Sequence, residues 1–139
     1  MPAAELTEAE LVGWGAAFGA QLPWPGCVTI SGDLGAGKTT LIRALAAALG
    51  VREPVTSPTY ALVHEYRAPR GTVYHLDLYR LDHAGQLAQL GWDEIVTAPA
   101  VVLIEWPERA GDTLPDARTA LTLAHVPGRP DVRRLTWPD

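Results

Sequence analysis

The chain has 139 residues, 47% hydrophobic and 19% charged, which is the balance of an ordinary globular protein forming one domain, residues 1–139. Its apolar runs are far shorter than the ~20 residues of a membrane span, and its first residues lack the pattern of a signal peptide. We therefore expect a cytoplasmic protein without a membrane partner. Since Cys27 is the sole cysteine, no internal disulfide can form, and a buried strand position is its simplest role.

The net charge of −5 bears on the partners of the chain. Proteins that bind nucleic acid directly show a basic patch, because phosphate contacts dominate the affinity. The ten arginines are scattered here, and only Arg133 and Arg134 are adjacent. Direct, strong binding of RNA or DNA is therefore disfavoured, and we expect no DNA partner.

The first predicted element is a helix that begins after Thr7. Glu10 follows Thr7 at the spacing of a capping box. Apolar residues at helical spacing from Leu11 onward extend the helix to about Gln21. A proline-rich turn then leads into the apolar run at residues 27–30, which we predict to be a strand.

The segment after this strand has the pattern G-x-x-x-x-G-K-[ST] of a phosphate-binding loop and leads into a helix predicted over residues 39–49. Glycines let the backbone N–H groups of such a loop point at phosphate oxygens, and the positive end of the following helix points the same way. Lys38, the sole lysine, would neutralise the outer phosphates, and the Thr39 hydroxyl would bind Mg²⁺. We therefore expect the chain to bind a nucleoside triphosphate. The residues expected at the nucleotide are Gly32, Asp33, Leu34, Gly35, Ala36, Gly37, Lys38, Thr39 and Thr40.

The rest of the chain alternates predicted strands with short helices. A hairpin is expected from residues 63–66 and 72–76, helices at 81–90 and 92–96, and strands at 100–104, 117–123 and 133–137. The run at 100–104 is continuously apolar, as is typical of a fully buried strand. This order predicts an α/β fold like that of phosphate-loop nucleoside triphosphate hydrolases, with a mixed β-sheet flanked by helices on both faces.

Glu105 is the first candidate for a metal ligand. A magnesium–nucleotide site needs a carboxylate near the Thr39 hydroxyl, usually at the end of a neighbouring strand. Glu105 directly follows the buried run at 100–104 and is therefore favoured over a carboxylate that merely ends a strand at the surface.

Asp77 is the second acidic candidate. Polar and apolar residues alternate around it, so His75, Asp77 and Tyr79 should share one face of a strand. If that face lines the nucleotide cleft, Asp77 could orient the attacking water or hold a metal-bound water. Otherwise it pairs with Arg80 or caps the next segment, and the spacing leaves both interpretations open.

Two further positions follow the same logic. Residues 56–59 lie where many phosphate-loop proteins have a switch segment that senses the third phosphate, although an ordinary turn explains the segment equally well. Trp106 could stack near the nucleotide, but tryptophan is more often simply packed.

Four segments, taken in order, resemble the TsaE (also called YjeE) ATPases of bacterial tRNA threonylcarbamoyladenosine synthesis. They are residues 32–40 with the phosphate loop, Ser57-Pro58-Thr59-Tyr60, His75-Leu76-Asp77-Leu78-Tyr79-Arg80-Leu81, and Leu103-Ile104-Glu105-Trp106-Pro107. The phosphate loop alone is shared by many families, whereas the four motifs in this order are specific. The resemblance covers residues 7–106 well and the last thirty residues weakly.

The resemblance implies a small mixed-sheet phosphate-loop fold that binds ATP or ADP with Mg²⁺. It implies partners as well: a TsaD–TsaB pair that transfers threonylcarbamoyl to the adenosine beside the anticodon of ANN-decoding tRNAs, so that tRNA is met only through the complex. By position, Lys38 and Thr39 would hold phosphate and metal, Glu105 would be a metal ligand, and Asp77 would be needed for turnover.

The resemblance also suggests roles at the ends of the chain and in the switch. Residues 57–59, with Thr59 among the catalytic candidates, become the switch, and Trp106 lies by the nucleotide. Members carry a threonine in the first turn of the opening helix; the aligned position is Leu11, and Thr7 lies one turn earlier. Thr7 is therefore a candidate nucleotide contact, and Arg133 is the candidate match to the family's base-contacting arginine.

The leading functional hypothesis is an ATPase in which water attacks the outer phosphate in line while Lys38 and Mg²⁺ absorb the developing charge. No arginine finger is evident, although Arg80 and Arg109 are conceivable, and this predicts slow turnover without a partner. The alternatives are a small kinase and a nucleotide switch that binds its partner without hydrolysis. Guanine specificity is not expected, because the chain has no Asn-Lys-x-Asp motif.

Overall fold

The computed structural model describes residues 1–56 and 62–139. In these residues the helices are α1 (Glu8–Gly19), α2 (Lys38–Ala48) and α3 (Trp92–Thr97), with 3₁₀ helices at Ala84–Leu90 and Pro107–Thr113. The strands are β1 (Ala3–Thr7), β2 (Gly26–Ser31), β3 (Val63–Ala68), β4 (Gly71–Asp77), β5 (Val101–Glu105), β6 (Thr119–Val126) and β7 (Arg129–Thr136).

The strands of the described residues form one mixed sheet in the order β1-β7-β6-β2-β5-β4-β3. Strand β2 is parallel to both β5 and β6, and β4 is parallel to β5. The outer pairs, β3 with β4 and β7 with β6 and β1, are antiparallel. Because β2, β4 and β5 run parallel, their carboxyl ends meet at one edge of the sheet, the place where α/β folds bind ligands.

Two hydrophobic cores cover the two faces of the sheet. On one face, α1 and α2 contribute Leu11, Leu41 and Leu45, which pack against β2 residues such as Val28 and Ile30. On the other face, the shorter helices contribute Leu87, Trp92, Ile95 and Ala110 and pack against β4 and β5. Helices on both faces of a mixed sheet were predicted from the sequence, and the structure confirms them.

Helices α1 and α2 approach each other closely because two glycines face the contact. A Cβ atom on Gly15 or Gly19 would lie 2.8 Å from the Cβ of Ala44 or Ala48, respectively. These distances are shorter than real Cβ contacts, so larger side chains at the two glycines would force the helices apart. The contact holds the second half of α2 closely against α1.

Several predicted elements agree with the structure and some need correction. The capping box at Thr7 and Glu10 is confirmed. Helix α1 ends at Gly19 rather than near Gln21, because its last turn tightens: the N–H groups of Gln21 and Leu22 donate to the third residue back. Cys27 lies in β2 but is only partly buried, and this burial raises the pKa of its thiol to about 11.

The remaining corrections concern the helix predicted at 81–90 and the two ends of the chain. Regular turns begin only at Ala84, because the Gln86 side chain accepts hydrogen bonds from the Asp82 and His83 N–H groups and caps the segment there. Strands β6 and β7 form a longer hairpin than predicted, turning through Gly128. Strand β1 was not predicted, since it arises by pairing with β7 at the far end of the chain.

No helix in residues 1–56 or 62–139 is both long and apolar enough to cross a membrane.

Candidate nucleotide site

The loop between β2 and α2 has the conformation that its glycines predict. Gly32, Gly35 and Gly37 all have positive φ angles, of 151°, 76° and 98°. A Cβ atom on Gly32 would lie 2.4 Å from the carbonyl oxygen of Leu123, so no other residue fits there. Helix α2 begins at Lys38, directly after the loop. The predicted order of strand, glycine-rich loop and helix is therefore confirmed.

Strands β6 and β7 brace this loop from outside. Arg133 donates one hydrogen bond from Nη2 to the Gly35 carbonyl oxygen, at 3.1 Å. His125 Nε2 lies 3.3 Å from the carbonyl oxygen of Leu34. Within the loop, the Ala36 N–H donates to the Asp33 carbonyl oxygen, and the Ala36 side chain is fully buried. The loop is thus held by two residues from the C-terminal hairpin.

Lys38 is folded back onto the loop. Its ammonium group donates to the carbonyl oxygens of Gly32 and Asp33, the latter at 2.8 Å, and lies 4.4 Å from the centre of the Trp106 ring. Burial lowers the pKa of Lys38, while Glu105 and Asp77 oppose this shift. Carbonyl oxygens and a ring face offset the charge only in part, so a phosphate oxygen could replace them.

Glu105 is the last residue of β5 and is buried, with 3% of its surface exposed. Its Oε2 lies 2.7 Å from Nε2 of His75, which comes from the neighbouring strand β4. The two strands are parallel, and Asp77 pairs in register with Glu105. The sheet therefore brings both predicted carboxylates to one edge.

Asp77 combines two of the roles that its spacing left open. Its Oδ1 accepts a hydrogen bond from the Tyr79 N–H at 3.0 Å, which caps the following turn, and the residue also lines the cavity described below. Burial raises the pKa of Asp77, and the nearby Glu105 raises it further. The Tyr79 N–H, His75 and Lys38 oppose the increase.

Trp106 and Tyr79 form an aromatic wall beside Lys38. Their ring centres are 4.9 Å apart, and Trp106 has a positive φ of 57°, a backbone conformation that costs free energy and that the surroundings must enforce. Arg109, a conceivable arginine finger, donates instead to the Leu81 carbonyl oxygen and lies 5.9 Å from the Tyr79 ring.

These elements surround a cavity of about 350 Å³ at the carboxyl ends of β2, β4 and β5. We call it the larger cavity, to distinguish it from a neighbouring one described next. Its lining includes three charged residues, Lys38, Asp77 and Glu105, together with Thr39. A hydroxyl and a carboxylate are the oxygen ligands that Mg²⁺ prefers, so the donor set fits this metal. The full lining is Leu34, Gly35, Gly37, Lys38, Thr39, Thr40, Asp77, Tyr79, Glu105 and Trp106.

A smaller cavity of about 220 Å³ adjoins the larger one. The two share Gly35, Gly37 and Thr40, so the phosphate loop forms the wall between them. The start of α1 and strand β7 supply the other walls. The full lining is Glu8, Leu11, Gly35, Gly37, Thr40, Pro130, Asp131 and Arg133.

The structure gathers most of the predicted site residues around these two cavities. Gly32 and Asp33 contribute the carbonyl oxygens that hold Lys38. Thr7 caps α1, with its hydroxyl 3.3 Å from the Glu10 nitrogen, and its contact with a nucleotide stays a prediction. Thr59 lies outside the described residues.

Sequence reasoning did not name several residues of the site. Tyr79 lines the larger cavity, Glu8, Pro130 and Asp131 line the smaller one, and His75 contacts Glu105. The alternation around Asp77 did place His75 on the same strand face, and this was the available signal. Leu11 was the position aligned with the family's threonine, whereas nothing local indicates Glu8, because the cavity forms only when α1 meets β7.

Comparison with known proteins gives one family. The family model for the threonylcarbamoyl adenosine biosynthesis protein TsaE matches residues 6–134. The tRNA threonylcarbamoyladenosine biosynthesis protein TsaE of Treponema pallidum is 38% identical over 110 residues, which is 79% of this chain and 81% of that protein. The namesake protein of Mycobacterium tuberculosis is 39% identical over 131 residues, or 88% and 77% of the two chains.

A third relative matches over a shorter segment, and a solved structure shares the fold. The TsaE protein of Nostoc sp. is 46% identical over 85 residues, which span 59% of this chain and about half (52%) of that protein. The crystal structure of Bacillus subtilis YdiB superposes with a TM-score of 0.79 at 26% identity, covering 98% of this chain and 84% of that one.

The fold is therefore that of the phosphate-loop nucleoside triphosphate hydrolases, a nucleotide-binding fold. The family match spans nearly the whole chain and includes the phosphate loop, Asp77 and Glu105. The chain belongs to the TsaE family.

Proposed function

We propose that the chain is a single Mg²⁺-dependent ATPase domain, residues 1–139, that assists threonylcarbamoyladenosine modification of tRNA. One observation carries the proposal: Lys38, Thr39, Asp77 and Glu105, from α2, β4 and β5, line one cavity next to a phosphate loop. Family membership supplies the pathway, since relatives bear the name tRNA threonylcarbamoyladenosine biosynthesis protein.

The two cavities suggest how ATP or ADP binds. The phosphates occupy the larger cavity, where the loop N–H groups and the start of α2 favour negative charge. The nucleoside occupies the smaller cavity, between Leu11 and Arg133, so that the shared residues Gly35, Gly37 and Thr40 meet the junction of sugar and phosphate. The shared lining residues support this division, because a bound nucleotide must span both cavities.

Thr39 and Glu105 would hold the Mg²⁺ ion through oxygen. A lining with two carboxylates and one ammonium group repels a triphosphate, and bound Mg²⁺ supplies the positive charge that the phosphates need. Burial of Glu105 strengthens its attraction for a cation, since the local dielectric constant is low.

The protein's own groups then divide the work of hydrolysis. Lys38 leaves its carbonyl partners and neutralises the outer phosphate oxygens. Asp77 orients the attacking water and accepts its proton, and the raised pKa of Asp77 makes it a better proton acceptor than an ordinary aspartate. Trp106 and Tyr79 exclude bulk water from this side of the cavity.

Activation by partners follows from the missing arginine. Among the described residues that line the larger cavity there is no arginine, and the Arg109 guanidinium is engaged elsewhere. An arginine at the transferred phosphate supplies ~10³–10⁵-fold in other phosphate-loop enzymes, so turnover by the isolated chain should be slow. We propose that TsaD and TsaB stimulate turnover in the cytoplasm and that tRNA is met through them, in keeping with the net charge of −5.

The test is ATP turnover by the protein alone and with added TsaD–TsaB, with Lys38→Ala as the blank. We expect slow release of phosphate that the partners accelerate and the substitution abolishes. Nucleotide-dependent association without stimulated turnover would contradict the ATPase proposal in favour of a passive switch. Phosphate transfer to an added acceptor would contradict it in favour of a kinase.

A further inference from the structure

His75 is a fully buried, polar residue that contacts one residue of the candidate site without lining the cavity itself. None of its surface is exposed, and its Nε2 lies 2.7 Å from Oε2 of Glu105. His75 does not line the larger cavity, whereas Glu105 does. Among the described residues, the one side-chain hydrogen bond of His75 joins it to this lining residue.

The chemistry of the pair assigns the hydrogen. An ionised carboxylate offers only acceptor oxygens, so the imidazole N–H lies on Nε2 and donates to Glu105. The opposite nitrogen, Nδ1, is buried without a hydrogen-bond partner among the described residues. Among the described residues, Glu105 is therefore the one side-chain hydrogen-bond partner of His75.

The contact depends on the pairing of two strands. His75 of β4 lies opposite Leu103 of β5, and Glu105 lies two residues after Leu103 on β5. A glutamate side chain has three rotatable bonds, and ordering them has an entropic cost. A fixed donor on a rigid strand holds one carboxylate oxygen and leaves the other for the cavity.

We propose that His75 is a positioning residue that fixes the Glu105 carboxylate for a divalent cation bound with the nucleotide. This role rests on the proposed function, since it requires a metal beside Glu105. The competing explanation is a core histidine that Glu105 merely satisfies. In proteins, loss of a hydrogen-bond partner behind a metal ligand typically weakens metal affinity about 10–100-fold.

The experiment measures ADP affinity by calorimetry, once with EDTA and once with Mg²⁺, and takes the ratio as the metal-dependent gain. His75→Met fills a similar volume without the donor, and we expect it to reduce the gain by about 10–100-fold and leave the affinity in EDTA unchanged. His75→Gln, whose amide reaches about as far as Nε2, should restore most of the gain. His75→Asn, whose shorter amide does not reach Glu105, should not.

Val73→Ala is the matched control. Val73 lies two residues earlier on β4, is equally buried and contacts the hydrophobic core. The substitution should lower the melting temperature but keep the metal-dependent gain, which separates loss of packing from loss of positioning.

The outcomes distinguish the inference from the function on which it rests. A wild type without metal-dependent gain would overturn both the metal site and the role of His75. A normal wild type with a full gain in His75→Met would overturn the role of His75 alone. If His75→Met does not fold, the comparison of His75→Gln with His75→Asn decides. Equal metal-dependent gains in ADP affinity for these two variants would contradict the positioning role of His75.

Discussion

The larger and the smaller cavity are neighbours built on different principles. The larger cavity lies at the carboxyl ends of parallel strands and is lined by charged groups: Lys38, Asp77 and Glu105. The smaller one lies between α1 and the antiparallel strand β7, where the apolar Leu11 accompanies Glu8, Asp131 and Arg133. In our account the first performs the chemistry and the second selects and holds the nucleoside.

Substitutions in the two cavities should therefore act on different properties. Groups in the larger cavity meet the charge that develops during hydrolysis, so their loss should lower turnover. Groups in the smaller cavity contact the ligand equally before and during the reaction, so their loss should lower affinity. Residues remote from both should change stability alone. Four predictions test this division.

Lys38→Ala should have the largest effect. Steady-state phosphate release with partners should fall by at least about 10²–10³-fold, because the preorganised charge on the outer phosphate oxygens is lost. Lys38→Met, which keeps the length of the side chain without its charge, should do the same. Stimulated turnover that survives in either variant would place the chemistry elsewhere.

Asp77→Asn should lower turnover by about 10²-fold, less than Lys38→Ala, since the amide cannot accept the proton of the attacking water. The stability of the fold, in contrast, should increase. Burial and Glu105 raise the pKa of Asp77, so the folded protein keeps this proton to a higher pH than the unfolded chain, and ionisation destabilises the fold as pH rises through that window. The variant should therefore melt at a higher temperature than the wild type at neutral pH.

A thermal unfolding series from neutral pH down to below the ordinary aspartate pKa of 3.8 measures this second effect. The difference in melting temperature should shrink at acidic pH, where Asp77 is protonated in both states. Asp112→Asn, at an exposed position, serves as the control and should change neither property. A variant that melts lower than the wild type at neutral pH would contradict the assignment.

Arg133→Ala should weaken ADP binding by about 10-fold, equivalent to roughly 1.4 kcal/mol, and leave turnover at saturating ATP unchanged. The substitution removes both a wall of the smaller cavity and the hydrogen bond to the Gly35 carbonyl oxygen. Arg134→Ala is the matched control, because that side chain is exposed and lies 4.0 Å from Glu5. A fall in the maximal rate without a change in affinity would instead assign Arg133 to the phosphates.

Gly19→Ala should have no effect on the nucleotide and should destabilise the fold by about 1–3 kcal/mol, because its Cβ would meet Ala48 at 2.8 Å. Gly13→Ala, on the same helix with nothing within 4 Å of the new Cβ, should stabilise it by roughly 0.5–1 kcal/mol. Urea unfolding of both variants gives the free energies. Equal effects would refute the close packing of α1 on α2.

The two cavities also differ in how far the sequence predicts them. The phosphate loop, Asp77 and Glu105 are local patterns on strands whose parallel order forces them together, so they could be named in advance. The contact between His75 and Glu105 joins residues 30 apart and depends on the β4–β5 register. The hydrogen bond from Arg133 to Gly35 joins residues 98 apart. No local sequence pattern predicts a cavity that is assembled from both ends of a chain. Strand β1 escaped prediction for the same reason, since it exists by pairing with β7.

Whether the two cavities form one nucleotide site can be measured by comparing amide resonances of the ¹⁵N-labelled protein after addition of Mg²⁺–pyrophosphate and of Mg²⁺–ADP. Both ligands should shift Gly37, Lys38 and Thr39, which border the larger cavity. Only Mg²⁺–ADP should also shift Glu8, Leu11 and Asp131, because its nucleoside enters the smaller cavity and pyrophosphate has none. If ADP leaves those three resonances unmoved while shifting the phosphate loop, the two cavities do not form one nucleotide site.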